Sequence, residues 1–317
     1  MPNVLTPAPT FLAPGPESIL DPIGVEVGIV YTIVGPDGTR AVLNDRADRD
    51  FVGFLSGEDG VTGLERAGVR ESSDTLPEAD GGVHGAFRYD RLSFTLKGLV
   101  VPDATSGGSW LTRQAKLLRA TNAMRADALL LWTPSEAPPV QVSFRQQQPT
   151  RLTGRRPKAF LVTGVSERNV VEAQALSLVT IVPGAIVSGG MGSPLGSPLG
   201  SAASDAGSAT VIGGGQSEAW PVITFTGPIV NPSIESQTLG LALHLNYTLA
   251  AGERLVLDSD PRRRTVRLND QSNRYSALDY LASSWFPLVP GANELAVGAS
   301  SYSIGSSVAV AWRDAWG

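Results

Sequence analysis

Residues 240–269 read GLALHLNYTLAAGERLVLDSDPRRRTVRLN, and their pattern decides the fold class. Leu241, Leu243, Leu245 and Tyr247 alternate with Ala242, His244, Asn246 and Thr248, the period of two expected of a strand with one buried face. Ala251-Gly252 then offers a turn into a strand over 254–258. Asp260-Pro261-Arg262 offers a second turn into a strand over 265–268. Further short strands are expected at 220–226, 294–297 and 308–312. Short strands at even spacing with turn signals between them indicate an antiparallel β-sandwich over residues 216–317.

Upstream of this domain, residues 188–215 are of different material. The tandem Ser193-Pro194-Leu195-Gly196 and Ser197-Pro198-Leu199-Gly200 is followed by Ser, Ala and Gly and then by Gly213-Gly214-Gly215. So little apolar surface does not offset the entropy of ordering the chain, and the stretch reads as a linker or long loop. Residues 1–187 form the first domain. Val25, Val27, Ile29, Tyr31 and Ile33 alternate as a strand, Gly35-Pro36-Asp37-Gly38 supplies a turn, and 39–43 returns as its partner. Residues 51–80, rich in Gly, Asp, Glu and Ser, read as a long irregular excursion. Strand character resumes over 91–100, with Leu92, Phe94 and Leu96 on one side. One helix follows, capped by Ser109 and running to about Met124, with Trp110, Leu111, Ala115, Leu117 and Leu118 on its apolar stripe. Arg113, Lys116 and Arg119 lie on its solvated face. A short apolar run at 129–132 and strands over 140–146, 159–165 and 173–182 complete this half.

Composition agrees with a β-rich, two-domain chain. Of 317 residues, 35 are Gly and 23 are Pro, both breakers of helices and makers of turns, and only 17% are charged. A length of 317 suits two cores, and 42% hydrophobic residues are enough to fill them. The low charge also suggests that part of the surface is covered by neighbours. The absence of cysteine removes disulfides, thiolate nucleophiles and cysteine metal sites. A net charge of −5 argues against a dedicated nucleic-acid binder. No apolar run is long enough to span a bilayer. The first 16 residues hold five prolines and no basic region, so no signal peptide is expected, and the protein is expected to stay in the cytoplasm that makes it unless something larger carries it out.

Chemistry is hard to assemble from these residues. His84 lies in a Gly-rich stretch and His244 in a strand, and neither has a second ligand at metal spacing. No Gly-x-Ser-x-Gly elbow and no phosphate loop ending in Gly-Lys-Ser/Thr is present. Asp258 and Asp260 are a possible carboxylate pair but flank a turn, where Asp serves the backbone. Arg262-Arg263-Arg264 could meet an acidic partner or nucleic acid, yet no aromatic residues interleave with them, and a solvated or salt-bridged tip explains them better. No catalytic, cofactor-binding or metal-binding residue is assigned, and no cofactor or enzymatic activity is expected.

Several segments of the C-terminal third carry a family resemblance. They are Trp220 to Pro228 (WPVITFTGP), Asn231-Pro232-Ser233-Ile234, Leu249 to Asp258 (LAAGERLVLD), Val266 to Asn269 (VRLN) and Trp285 to Asn293 (WFPLVPGAN). In this order they resemble the distal tail proteins (Dit), minor tail proteins of long-tailed, non-contractile bacteriophages of the actinobacteriophage type. The order of the helix, Leu131-Trp132-Thr133-Pro134 and the preceding strand in the first half agrees more loosely. The resemblance implies a tail-tube-like β-barrel or sandwich with one helix over 1–187 and a galectin-like antiparallel β-sandwich over 216–317. It implies a virion protein of the tail tip: a homo-hexameric ring joining the tail-tube protein to the baseplate hub and its tail-associated protein. The tape-measure protein or the genome would pass through its channel, without specific nucleic-acid binding or membrane insertion. Cyclic closure suits such a role, because a heterologous interface that closes leaves no open end. Two other readings stay open. A carbohydrate-binding module for host adhesion would need an exposed aromatic, for which Trp285, Trp312 and Trp316 are available. A cell-wall hydrolase would need a carboxylate or metal centre that the sequence does not display.

Overall fold

The computed structural model describes residues 29–45, 47–48, 51–57, 60–65, 67–75, 82–101, 110–124, 126–134, 137–154, 157–185 and 207–317. By its contacts the chain divides into two units, residues 1–135 with 143–167, and residues 136–142 with 168–317. Val25, Val27, Ser109 and residues 188–206 lie outside the described residues.

The first unit is built on a closed ring of seven strands. β1 (Tyr31–Val34) and β2 (Arg40–Leu43) form the expected hairpin, with Gly38 at φ 80° in its turn. β3 (Phe51–Leu55) runs parallel to β2. β4 (Ser93–Val100) returns antiparallel to β3, and β5 (Ala128–Trp132) pairs with the other side of β1. β6 (Val140–Thr153) follows, and β7 (Lys158–Val165) pairs with both β4 and β6, which closes the ring in the order β7-β4-β3-β2-β1-β5-β6. Ile33, Leu43, Leu96, Leu130, Phe144 and Val162 are buried almost completely, and the Phe94 and Phe144 rings meet edge to face at 5.0 Å. Gly98 and Gly164 permit this density. A Cβ on Gly98 would lie 2.1 Å from the Phe54 carbonyl oxygen, and one on Gly164 would lie 2.4 Å from the Phe94 ring.

Two expectations for this unit change. Residues 51–80 are not an irregular excursion: β3 (FVGFL) is buried at all five positions, and Val69–Thr75 pairs with Gly82–Tyr89 as a two-stranded hairpin. A strand covered on both faces shows no alternation, so periodicity does not reveal it. The helix α1 (Trp110–Ala120) exists but buries another stripe. Gln114, Leu117, Ala120 and Thr121 face inward, whereas Leu111 is 68% and Leu118 40% exposed. Hydrogen bonds hold this stripe: the Thr121 hydroxyl bonds the Leu117 carbonyl at 2.8 Å and the Thr150 hydroxyl at 2.7 Å, and Gln146 donates to Thr150 at 2.6 Å.

The second unit is the antiparallel sandwich, and it begins earlier in the chain than residue 216. β8 (Val171–Ala173) and β9 (Ser177–Ile181) belong to it, because all five residues of β9 pair with β17 (Ser307–Trp312). The stretch expected as linker also contributes: β10 (Ser208–Gly213) pairs over six residues with β16 (Gly291–Ala299). With β11 (Val222–Thr226), β14 (Arg254–Asp258) and β15 (Thr265–Leu268), one sheet has the order β9-β17-β11-β14-β15 and ends on Ser272–Asn273. The other is centred on β16, flanked by β12 (Ser233–Ser236) and then by β13 (Leu241–His244). β18 (Ala315–Trp316) closes the chain against β8.

The core fills the space between these two sheets. Ile223, Phe225, Leu255, Leu257, Val266, Val308 and Val310 come from one, and Val211, Ile234, Leu243, Leu295 and Val297 from the other, all in one buried cluster. The alternation read at 240–249 survives in burial, since Leu243, Leu245 and Leu249 are inside. The ladder itself changes partner: Leu241–His244 pairs with β12, whereas Thr248–Leu249 pairs with Ile229–Val230.

Phe225 lies at the centre of this cluster with no exposure, so Phe225→Ala is expected to cost about 3–5 kcal/mol of sandwich stability in urea unfolding. Leu118→Ala, on the outward face of α1, is expected to cost less than about 0.5 kcal/mol; a loss as large as that of Phe225→Ala would contradict the helix orientation described.

Candidate functional site

Local sequence on the β14–β15 side of the sandwich builds a polar cleft. In β15, Val266 and Leu268 enter the core, which leaves Thr265 and Arg267 on the outer face. Asn269 and Asp270 take φ of 51° and 59° and turn the chain, and Asn269 Oδ1 accepts the Arg254 N–H at 2.9 Å. Ser272–Asn273 then pairs back so that Asn273 stands opposite Arg267. Asn273 Oδ1 accepts the Tyr275 N–H at 2.9 Å and starts a short 3₁₀ turn, Tyr275–Ala277. Ala277 and Leu278 are buried, the Arg274 N–H reaches the Val266 carbonyl at 2.8 Å, and the Asn246 N–H reaches the Ala277 carbonyl at 2.7 Å. The loop is thus fastened to the sandwich on both sides.

Arg264, Thr265, Arg267, Gln271, Asn273 and Tyr275 line a cleft of about 300 Å³. Beside it the half-buried Trp285 stacks on Tyr275, with ring centroids 6.3 Å apart at 26°, and Tyr280 tilts against Tyr275 at 5.8 Å. The Arg264 guanidinium lies 5.9 Å from the Trp285 ring centroid. Residues 261–278 hold five arginines against one acid, Asp270, in a chain of net charge −5.

These arginines do not share one role. Asp260, with a side chain only 3% exposed, accepts two bonds from the Arg262 guanidinium at 2.8 and 3.0 Å and one from the Arg262 N–H at 3.1 Å. It also accepts Arg168 Nη2 at 2.8 Å, and Arg168 in turn contacts Glu172. Burial pushes the Asp260 carboxyl up, but the Arg262 hydrogen bonds and the Arg168 charge outweigh it and hold the pKa at about 2. Arg264 and Arg267 have no carboxylate within 4 Å among the described residues.

The residues weighed in the sequence are scattered by comparison. Asp258 Oδ1 accepts the Asp260 N–H at 3.0 Å, a turn contact, and Asp260 is the centre of the ion cluster. His244 is exposed and exchanges bonds with Ser283 through its backbone, whereas the His84 side chain lies outside the described residues. Trp312 belongs to the core and bonds Asp314 at 3.1 Å, and Trp316 lies in β18. Among the described residues no three His, Cys, Asp or Glu side chains form a group able to hold a metal ion. No helix among them is long and apolar enough to cross a membrane. Sequence reading did not single out Arg267, Gln271, Asn273 and Tyr275; the excess of arginine over 261–278 was the signal available.

Comparison with known proteins places this geometry in a context. Residues 214–316 match the family model described as "Siphovirus-type tail component, C-terminal domain", and the resemblance drawn from the C-terminal segments holds over that span. The crystal structure of Dit from phage SPP1, described as a paradigm of hub adsorption apparatus in Gram-positive infecting phages, is similar in fold. It is 13% identical, with a TM-score of 0.58, and the alignment covers 90% of this chain and 98% of that one. A chain of the phage p2 baseplate in its activated conformation aligns over the same shares at 10% identity with a TM-score of 0.48. No curated relative matches in sequence.

The depressed pKa of Asp260 makes the ion cluster a source of pH-dependent stability. Its contribution is present above the unfolded carboxylate value near 4 and is lost as pH falls through about 2. Asp260→Asn is expected to cost about 2 kcal/mol in unfolding experiments at pH 7 and almost nothing at pH 2. An equal loss at both values would show that the carboxylate charge is not what holds Arg168 and Arg262.

Proposed function

We propose that this chain is a structural subunit of a phage tail tip, forming a homo-hexameric ring that joins the tail tube to the baseplate hub and adhesion device. The observation that carries the reading is the siphovirus-type tail component match over 214–316, in a chain whose first unit is a closed β-barrel. In this reading the first unit forms the ring, and the tape-measure protein passes through the channel. The subunit acts mechanically at the virion tail tip and needs no catalytic centre.

Two features of the first unit favour assembly. The hairpin Val69–Thr75/Gly82–Tyr89 pairs with no other strand among the described residues. A lone two-stranded hairpin is marginal in water, and its unpaired backbone groups invite a strand or surface from a neighbour. Leu111 and Leu118 on α1, with Met124 just beyond it, are exposed apolar side chains of the kind that neighbouring subunits cover. Because the barrel wall is closed, the hairpin and helix are candidates among the described residues for a heterologous ring contact.

Light scattering on the purified chain is expected to give a species of roughly six 33.2 kDa subunits, seen by negative stain as a ring with a central hole. Replacing residues 69–89 by a short Gly-Ser turn is expected to yield monomers whose sandwich melts as before. A wild-type chain that stays monomeric at high concentration and in the presence of tail tubes would overturn the ring.

A further inference from the structure

We propose that the cleft lined by Arg264, Thr265, Arg267, Gln271, Asn273 and Tyr275 binds a polyhydroxylated anion, namely a saccharide or polyol chain bearing phosphate or carboxylate groups. This activity would reside in the sandwich alone and does not depend on ring formation.

The charges give the first argument. Arg168 and Arg262 are committed to the buried Asp260, whereas Arg264 and Arg267 line the cleft with no carboxylate partner among the described residues. A guanidinium fork fits a carboxylate or phosphate through two parallel bonds, and two such forks around one cleft set up an anion site. Arg263 and Arg274 add positive charge to the segment around the cleft, against Asp270 within it.

The neutral lining specifies what kind of anion. Gln271, the Thr265 hydroxyl and the Tyr275 phenol supply donors and acceptors. With its Oδ1 committed to the Tyr275 N–H, Asn273 offers its amide NH₂ as a fixed donor. Such groups suit a ligand dense in hydroxyls. No aliphatic side chain lines the cleft, so there is no socket for the apolar anchors of an acidic peptide. Tyr275 is the one aromatic in the lining, and its ring is already engaged by Trp285 and Tyr280, while Arg264 lies over Trp285. A nucleobase would need an open aromatic face, which disfavours single-stranded nucleic acid.

Shape and rigidity agree with this chemistry. A cleft of about 300 Å³ is at the small end of ligand sites and accommodates a short stretch of a polymer rather than a folded partner. Backbone bonds from Asn246, Arg254 and Arg274 hold the loop in place, so little ordering cost remains to be met on binding.

Isothermal titration of the full chain against poly(glycerol phosphate), oligogalacturonate, neutral dextran, polyglutamate and oligothymidylate tests the proposal. Binding is expected for poly(glycerol phosphate), oligogalacturonate or both, with dextran silent; which of the two binds separates a phosphate ligand from a carboxylate one. The double substitution Arg264→Gln/Arg267→Gln is expected to weaken that binding by about tenfold or more, given the usual strength of charge-assisted bonds. Arg263→Gln, exposed and outside the lining, is expected to change it less than about twofold. Gln271→Ala, at an exposed position, gives an independent reading through loss of a neutral contact and is expected to weaken binding several-fold with an unchanged melting curve. Silence toward both anionic polyols, affinity untouched by the double substitution, or equal affinity for polyglutamate or oligothymidylate would each overturn the assignment.

Discussion

The backbone bonds between β6 and β7 are the constraint on which the first unit depends. Every strand has two rows of N–H and C=O groups to satisfy, and a sheet that stays open leaves one row exposed at each edge. Because β7 pairs with β4 on one side and β6 on the other, the wall has no edge left. That closure forces the interior into a narrow space, where glycine at 98 and 164 lets rings and backbone approach. Among the described residues, the hairpin Val69–Thr75/Gly82–Tyr89 lies outside this closed wall. The sandwich keeps open edges instead: each sheet buries one face against the other, and β9 lies at one sheet edge, with Leu178 63% exposed.

The sandwich was the more legible half because its strands are covered on one face only. Alternation then records burial directly: of the residues read as one face, Leu243 and Leu245 enter the core and Leu241 and Tyr247 pack against it. Where both faces are covered the signal vanishes, as in Phe51–Leu55. Composition misled at Ser208–Gly213, where one buried side chain, Val211, and a full ladder with β16 are enough to hold a strand among small residues. The face of α1 was misread for a physical reason: a polar side chain, Gln114, is buried with its Oε1 accepting a bond from Lys158, while two leucines are left outside. Hydrophobicity ranks side chains one at a time and carries no record of the polar partners that let Gln114 be buried.

The cleft was not legible, because its members are brought together by a turn and a return strand rather than by spacing. The run Arg262-Arg263-Arg264 attracted notice, yet these neighbours diverge: Arg262 turns back to a buried carboxylate and Arg264 lies over an indole. Three identical residues in sequence thus serve different ends, and only the positions of Asp260 and Trp285 distinguish them. The same contrast separates a guanidinium used for stability, desolvated and saturated with partners, from one left available to a ligand.

The pairing of β8 with β18 has a mechanical consequence. Val171 stands opposite Trp316 in an antiparallel pair, so the chain enters and leaves the sandwich on neighbouring strands. Tension applied across these two points would peel the pair open one bond at a time instead of shearing several together. The core strands between them would carry none of that load until the pair had parted. Arg168, held by Glu172 and Asp260, lies just before the first of these two strands.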